Sequence, residues 1–192
     1  MIVCNKKKIK KVIAGILIIF SGIVLTAGIY HVNKRFPKEQ VEVYTTEKGM
    51  TMNGLEITPI EYKVYAPDDF FNRYPENDHF NYLKDRKDYT QKNNMVVYKV
   101  KISNYTDEDK ICKPYLFSAM AKNSRWHNGL TQVDNQIKTI FEAGSTTVIE
   151  LVALITTSQI QYKYIKDIYN DKYCLIASYY PVRRVFEFDI AE

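Results

Sequence analysis

Glycine is scarce in this chain, with 7 among 192 residues, and proline is scarcer still at 6. No glycine-rich loop is present to cradle a phosphate on bare backbone amides. No Gly-x-Ser-x-Gly turn is present to raise a nucleophilic serine. Histidine is as sparse. His31, His79 and His127 show no His/Cys/carboxylate spacing of the kind metal sites use. The acidic run Asp107, Glu108, Asp109 does not have the spacing of an EF-hand loop and reads as a solvated turn. No cofactor and no catalytic residue is expected from these patterns.

What the chain does possess is a long uncharged run. Val12 to Tyr30 is 19 residues without a charge, opening from "KKKIKKVIAG". As a helix it would be about 28 Å long, close to the hydrocarbon thickness of a bilayer. A cleaved secretory signal usually has an apolar stretch of only about 7–15 residues. The nearest small-residue cleavage site, Thr26-Ala27-Gly28, is followed by bulky Ile29 and Tyr30, and no cysteine follows to accept a lipid. Five lysines among residues 6–11 argue against a buried core helix. The expectation is a retained signal anchor: a basic cytoplasmic tail over 1–11, a span over 12–30, and a spacer over 31–40. Five basic residues precede the span, whereas Lys34, Arg35 and Lys38 follow it. That bias places the N-terminus in the cytoplasm and the rest outside.

The anchor also explains the net charge of +5. Without the five N-terminal lysines, 22 basic residues face 22 acidic ones, all of them beyond residue 31. The exported part has no basic footprint for nucleic acid. About 160 residues remain, enough for one domain with its own core.

Period-two alternation dominates that part. "MVVYKVKIS" at 95–103 puts Val96, Tyr98, Val100 and Ile102 on one side and Lys99 and Lys101 on the other. "NYTDEDK" then turns, and "YLFSAMA", "QIKTI", "STTVIELVALI", "KYCLIASYY" and "RVFEFDI" read as further strands. "HNG" at 127–129 is an Asn-Gly hairpin signal. In "GLEITPIEYKVY" the inward parity changes across Pro59, which predicts a bulge or a switch between sheets. Seven to nine short strands predict an all-β, immunoglobulin-like antiparallel β-sandwich over 41–192. The Trp-and-Cys core signature of antibody domains is not evident. Asn104-Tyr105-Thr106 fits a glycosylation sequon.

Three stretches together, "KGMTMNGLEITPIEYKVY", "MVVYKVKISNYTDEDK" and "FEAGSTTVIELVALI", follow a charged membrane anchor and a spacer. In that order the chain resembles Gram-positive membrane-anchored surface proteins with a telokin-like or immunoprotective-type Ig-like domain, a domain-of-unknown-function group. The resemblance implies the fold and an extracellular location, and brings no catalytic residues with it.

Two features remain. Cys112 and Cys174 both fall in the exported part, where a disulfide is permitted, although buried free thiols are also common. Cys4 is expected inside the cell. Residues 66–94 interrupt the β-pattern with Phe70, Phe71, Tyr74, Phe80, Tyr82 and Tyr89 among charges. A connection of that length is functional, disordered or locally structured. "DHFNYLKDRK" within it predicts a short helix with Asp78 as N-cap and Phe80 and Leu83 inward. The aromatics either cover one end of the sandwich or form a recognition surface of Phe70, Phe71, Tyr74, Phe80 and Tyr82. The later run, Tyr162 to Tyr180, reads as cross-strand packing.

The functional expectation is non-enzymatic binding or an accessory role at the cell envelope, beside an envelope protein or transporter. A small-ligand or glycan-binding module is the alternative, and an uncharacterised hydrolase comes after it.

Overall fold

The computed structural model describes residues 6–35, 39–84 and 93–190. Cys4 and Tyr89 lie outside the described residues. The chain divides into two units, Met1–Glu39 and Gln40–Glu192.

The first unit contains helix α1, Lys6–Arg35. Its segment Lys11–Arg35 is long and apolar enough to cross a membrane, and none of its apolar window is buried within the protein. The hydroxyl of Thr26 donates to the carbonyl of Gly22 at 2.8 Å. This removes a donor that hydrocarbon would leave unsatisfied. Lys34 and Arg35 occupy the last turn, where cations complement the helix dipole.

The second unit is a β-sandwich, as the alternation predicted. One sheet is five-stranded, in the order β1-β12-β11-β6-β7. Its strands are β1 Gln40–Tyr44, β12 Val182–Glu187, β11 Tyr173–Ser178, β6 Ser118–Ala121 and β7 His127–Gly129. The other is six-stranded, with the order β13-β3-β4-β10-β8 and β2 paired to β3. Here β13 is Asp189–Ile190, β3 Leu55–Tyr65, β4 Asn93–Asn104, β10 Thr146–Thr156, β8 Thr131–Gln132 and β2 Met50–Met52. A two-stranded piece joins β5, Lys110–Ile111, to β9, Ile140–Phe141. The pairing is antiparallel except for β1 on β12 and β13 on β3, which run parallel.

The core lies between the two large sheets. Leu55, Ile57, Val96, Tyr98, Val100, Ile102, Ile149 and Leu151 of one meet Ala119, Ala121, Tyr173, Leu175 and Phe186 of the other, all buried. The four inward residues predicted for β4 are therefore all in place.

Local chemistry sets the register. Asn53 and Gly54 join β2 to β3 with φ of 54° and 81°, and Met52 faces Leu55. Positive φ at both central residues of a two-residue loop is the requirement that Asn-Gly meets best. Pro59 faces Val100 and Glu61 faces Lys99, so Ile60 is the extra residue of a bulge. The parity change is thus a bulge within one continuous strand, with no switch between sheets.

Three predicted details are corrected. Asn128-Gly129 belongs to β7 itself, and residues 122–124 make the turn before it. Asn128 instead donates its amide to the Leu154 carbonyl at 2.9 Å. Of "QIKTI", only Ile140 is in a strand. The Tyr162–Tyr180 run begins as a 3-10 helix, Tyr162–Asn170, and only its later part, Tyr173–Ser178, is strand. Tyr162, Tyr169, Tyr179 and Tyr180 are exposed, and Tyr173 alone of the five tyrosines outside the half-buried Tyr164 is in the core.

Candidate functional site

The 66–94 segment decides where a site can lie. Its described part forms α2, Pro67–Arg73, and α3, Asn81–Lys84. Pro67 opens α2 and Asp68 and Asp69 occupy its first turn, the residues a helix start favours. Before α3 the backbone N–H of Phe80 donates to the side chain of Asn77 at 3.3 Å, and Asn77 donates to the Val133 carbonyl at 2.8 Å. Asp78 takes the side-chain amide of Asn81 instead. The residue that holds the turn is thus Asn77, one position before the predicted cap.

The two helices cover the outer face of the six-stranded sheet. Phe70, Phe80 and Leu83 are buried there against Met95 and Val97 of β4, Val152 of β10, and Val133. This second core is aromatic and cross-linked edge to face, with Phe70 meeting Phe80 at 6.0 Å and Tyr65 at 6.4 Å. Phe70 and Phe80 therefore cannot belong to a recognition surface. They are buried because they shield an apolar sheet face that water would otherwise reach. Phe71 and Tyr74 are half-buried, and Tyr82 is 54% exposed. Lys84 Nζ sits 5.0 Å from the Phe71 ring. The insert is a face cover with a few exposed edges, and the expectation that it closes one end of the sandwich needs that correction.

The signal for this cover was present in β4 and β10. Their outward residues change from apolar to charged along the strand: Met95 and Val97, then Lys99 and Lys101; Leu154 and Val152, then Glu150. The apolar half is the part under the helices.

Where the cover stops, a cleft of about 370 Å³ opens, lined by Glu61, Lys63, Tyr65, Arg73, Tyr74, Val97 and Lys99. Strands β3 and β4 supply its floor and α2 its wall. Lys99 Nζ donates to Glu61 at 2.6 Å and lies 3.9 Å from Glu150. The Glu61 hydrogen bond raises the Lys99 pKa and keeps it charged. These three residues face one another across β3, β4 and β10, so strand register builds the ion pair. Tyr65 and Tyr74 meet edge to face at 6.0 Å. Burial, then the nearby Glu150 carboxylate and Tyr65, push the Tyr74 phenol above the usual tyrosine range. It stays a neutral hydroxyl. The guanidinium of Arg73 lies 5.8 Å from the Tyr74 ring centre. Of the sequence-predicted aromatics, Tyr74 lines this cleft. The polar residues beside it were not singled out from sequence, because two strands and a helix bring them together.

A second cleft, about 390 Å³, lies among Pro67, Asp68, Asn94, Thr157, Ile168 and Tyr169, where Tyr169 donates to Asn94 at 2.6 Å. No cluster of three or more His, Cys, Asp or Glu residues fit for a metal occurs among the described residues.

Cys112 and Cys174 are both free and buried, so the possible disulfide is corrected. Parity gives the reason. Cys112 belongs to the core between the sheets. Cys174 lies between Tyr173 and Leu175, which face that core, so its own side chain points to the opposite face. There it pairs across the sheet with Met120 and Glu187, beneath the Lys122–Glu187 ion pair. Burial pushes both thiols up to about 11.

The chain is similar in structure to an uncharacterised β-sandwich protein from Clostridium difficile. That likeness has 11% identity and a TM-score of 0.45, covering 79% of this chain and 96% of that one. It is also similar to a functionally unknown protein from Listeria monocytogenes, with 14% identity, a TM-score of 0.44 and 67% of each chain covered. No protein-family model and no curated protein sequence matches the chain.

Proposed function

We propose that this chain is a single-pass membrane protein that holds a β-sandwich at the outer surface of a Gram-positive cell. The sandwich acts there as a non-enzymatic binding or accessory module, beside an envelope protein or transporter. One observation carries this reading: an unburied apolar helix of membrane length stands in the same chain as a unit with a complete core of its own. Such a helix finds its apolar surroundings in lipid. The lysines before it give the orientation.

The test is fractionation and protease access. Full-length protein should stay with membranes through an alkaline wash. Protease added to intact protoplasts should degrade the β-domain and leave the basic tail. Release of a shorter soluble protein beginning near Ile29 would replace the anchor with a cleaved signal.

A small-ligand reading is favoured by the Tyr65–Tyr74 cleft, where polar groups converge beside aromatic ones.

A further inference from the structure

The cleft at the margin of the helical cover has two chemically different walls. One is aromatic: the half-buried rings of Tyr65 and Tyr74 stand beside buried Val97. The other is ionic, with Glu61, Lys63 and Lys99 on the strands and Arg73 at the end of α2. Lys99 is already neutralised by Glu61 and Glu150. Arg73 is different. It is exposed, and among the described residues its side chain meets the Tyr74 ring alone. A guanidinium resting on an aromatic face keeps its N–H groups directed along its own plane, available to an anion.

The geometry points to a binding site for a sugar-sized ring that carries one phosphate or carboxylate. The anion engages Arg73 through paired charge-assisted hydrogen bonds. The ring lies against the exposed edges of the half-buried Tyr74 and Tyr65, which accept apolar C–H surface. The Glu61 carboxylate, held by Lys99, accepts hydrogen bonds from ring hydroxyls. A bare anion would forgo the aromatic wall, and a neutral sugar would forgo Arg73. The volume of about 370 Å³ suits a ligand of this size. This inference rests on the small-ligand reading of the sandwich as a binding module.

The test is calorimetric titration of the full-length protein in detergent micelles with four probes: glucose monophosphate, glucuronate, glucose and inorganic phosphate. Both anionic sugars should bind at least about tenfold more tightly than glucose or inorganic phosphate, because only they engage Arg73 and the aromatic wall together. Affinity should fall as salt is raised. Arg73→Ala should weaken the anionic sugars about 10- to 100-fold, and Arg73→Lys should restore part of the loss. Because Arg73 is exposed, the melting temperature of these variants should stay at the parent value, which separates lost binding from lost folding. Equal affinity for glucose, equal affinity for inorganic phosphate, unchanged binding in Arg73→Ala, or no binding by any probe would each overturn the proposal. The sugars should be recovered intact. Release of phosphate from glucose monophosphate would support the site while overturning the non-enzymatic reading, so the two failures are distinguishable.

Discussion

Asn104 shows how tertiary contacts reassign a residue whose sequence context suggests something else. It opens the sequon-like triplet Asn104-Tyr105-Thr106, yet its side chain is completely buried. Its amide nitrogen donates to the carbonyls of Glu108 at 2.8 Å and Phe141 at 2.9 Å. Its amide oxygen accepts from the backbone and the hydroxyl of Thr106, at 3.0 Å and 2.7 Å. The nitrogen that a glycan would occupy is thus engaged in tying the β4–β5 turn to β9. Asn104→Ala should cost about 2–4 kcal/mol in denaturant unfolding, since it strands a buried carbonyl as well as losing the bonds. A cost under about 0.5 kcal/mol would show that the network is not stabilising. Asp171 has a related role. It is buried, and its carboxylate accepts from the backbone N–H groups of Asn123, Ser124 and Lys172. Neither residue can be recognised as structural from its neighbours, because the partners lie up to 48 residues away.

At the scale of elements, the two short helices matter most. Aromatic spacing in 66–94 is irregular, so no strand or long helix could be read there. Yet Phe80 with Leu83 was a legible inward pair, whereas Pro67 with Asp68 and Asp69 was not read as the helix start it is. What could not be read was the face they would cover. The helices are too short to be stable alone, so packing on β4 and β10 maintains them. Their aromatics should therefore behave in two classes. Phe70→Ala should cost about 3–5 kcal/mol, as emptying a buried aromatic site does. Tyr82→Ala should change stability by less than about 1 kcal/mol, being mostly exposed. Thermal melts of the two variants check this, and similar values for both would contradict the described cover. The β2–β3 hairpin gives the opposite lesson. Its Asn53-Gly54 pair, not singled out from the sequence, carried a complete local signal, whereas the Asn128-Gly129 pair that was singled out lacked flanking alternation and became strand.

For the whole molecule, burial of titrating groups makes alkaline pH the vulnerable side. Burial holds the phenols of Tyr62, Tyr98 and Tyr173 above their ordinary value, and the Cys112 and Cys174 thiols at about 11 against an ordinary 9.0. In each case the unfolded chain loses its proton first. Stability from these groups is complete below about pH 9 and is lost as the pH rises through the folded values. The melting temperature should therefore decline from about pH 9 upward, thiols first and phenols next. A melting temperature that holds through about pH 11 would contradict the burial described here.

By itself, the sequence determined a helix of membrane length, the lysine cluster that precedes it, and a β-sandwich whose strand parity changes at Pro59. These are local properties: a run of apolar residues, a cluster of lysines, and a period of two that survives in any register. That the change is a bulge and no switch between sheets was decided by the pairing of β3 with β4. Tertiary structure alone decided which aromatics are core and which are surface. Tyr173 and Phe70 are buried while Tyr162 and Tyr82 are exposed, because burial depends on what lies across from each ring. It also set the two cysteines on opposite faces of a sheet. Finally, it assembled the cleft, since Glu61, Lys99 and Tyr74 are neighbours only after β3 and β4 align and α2 folds over them.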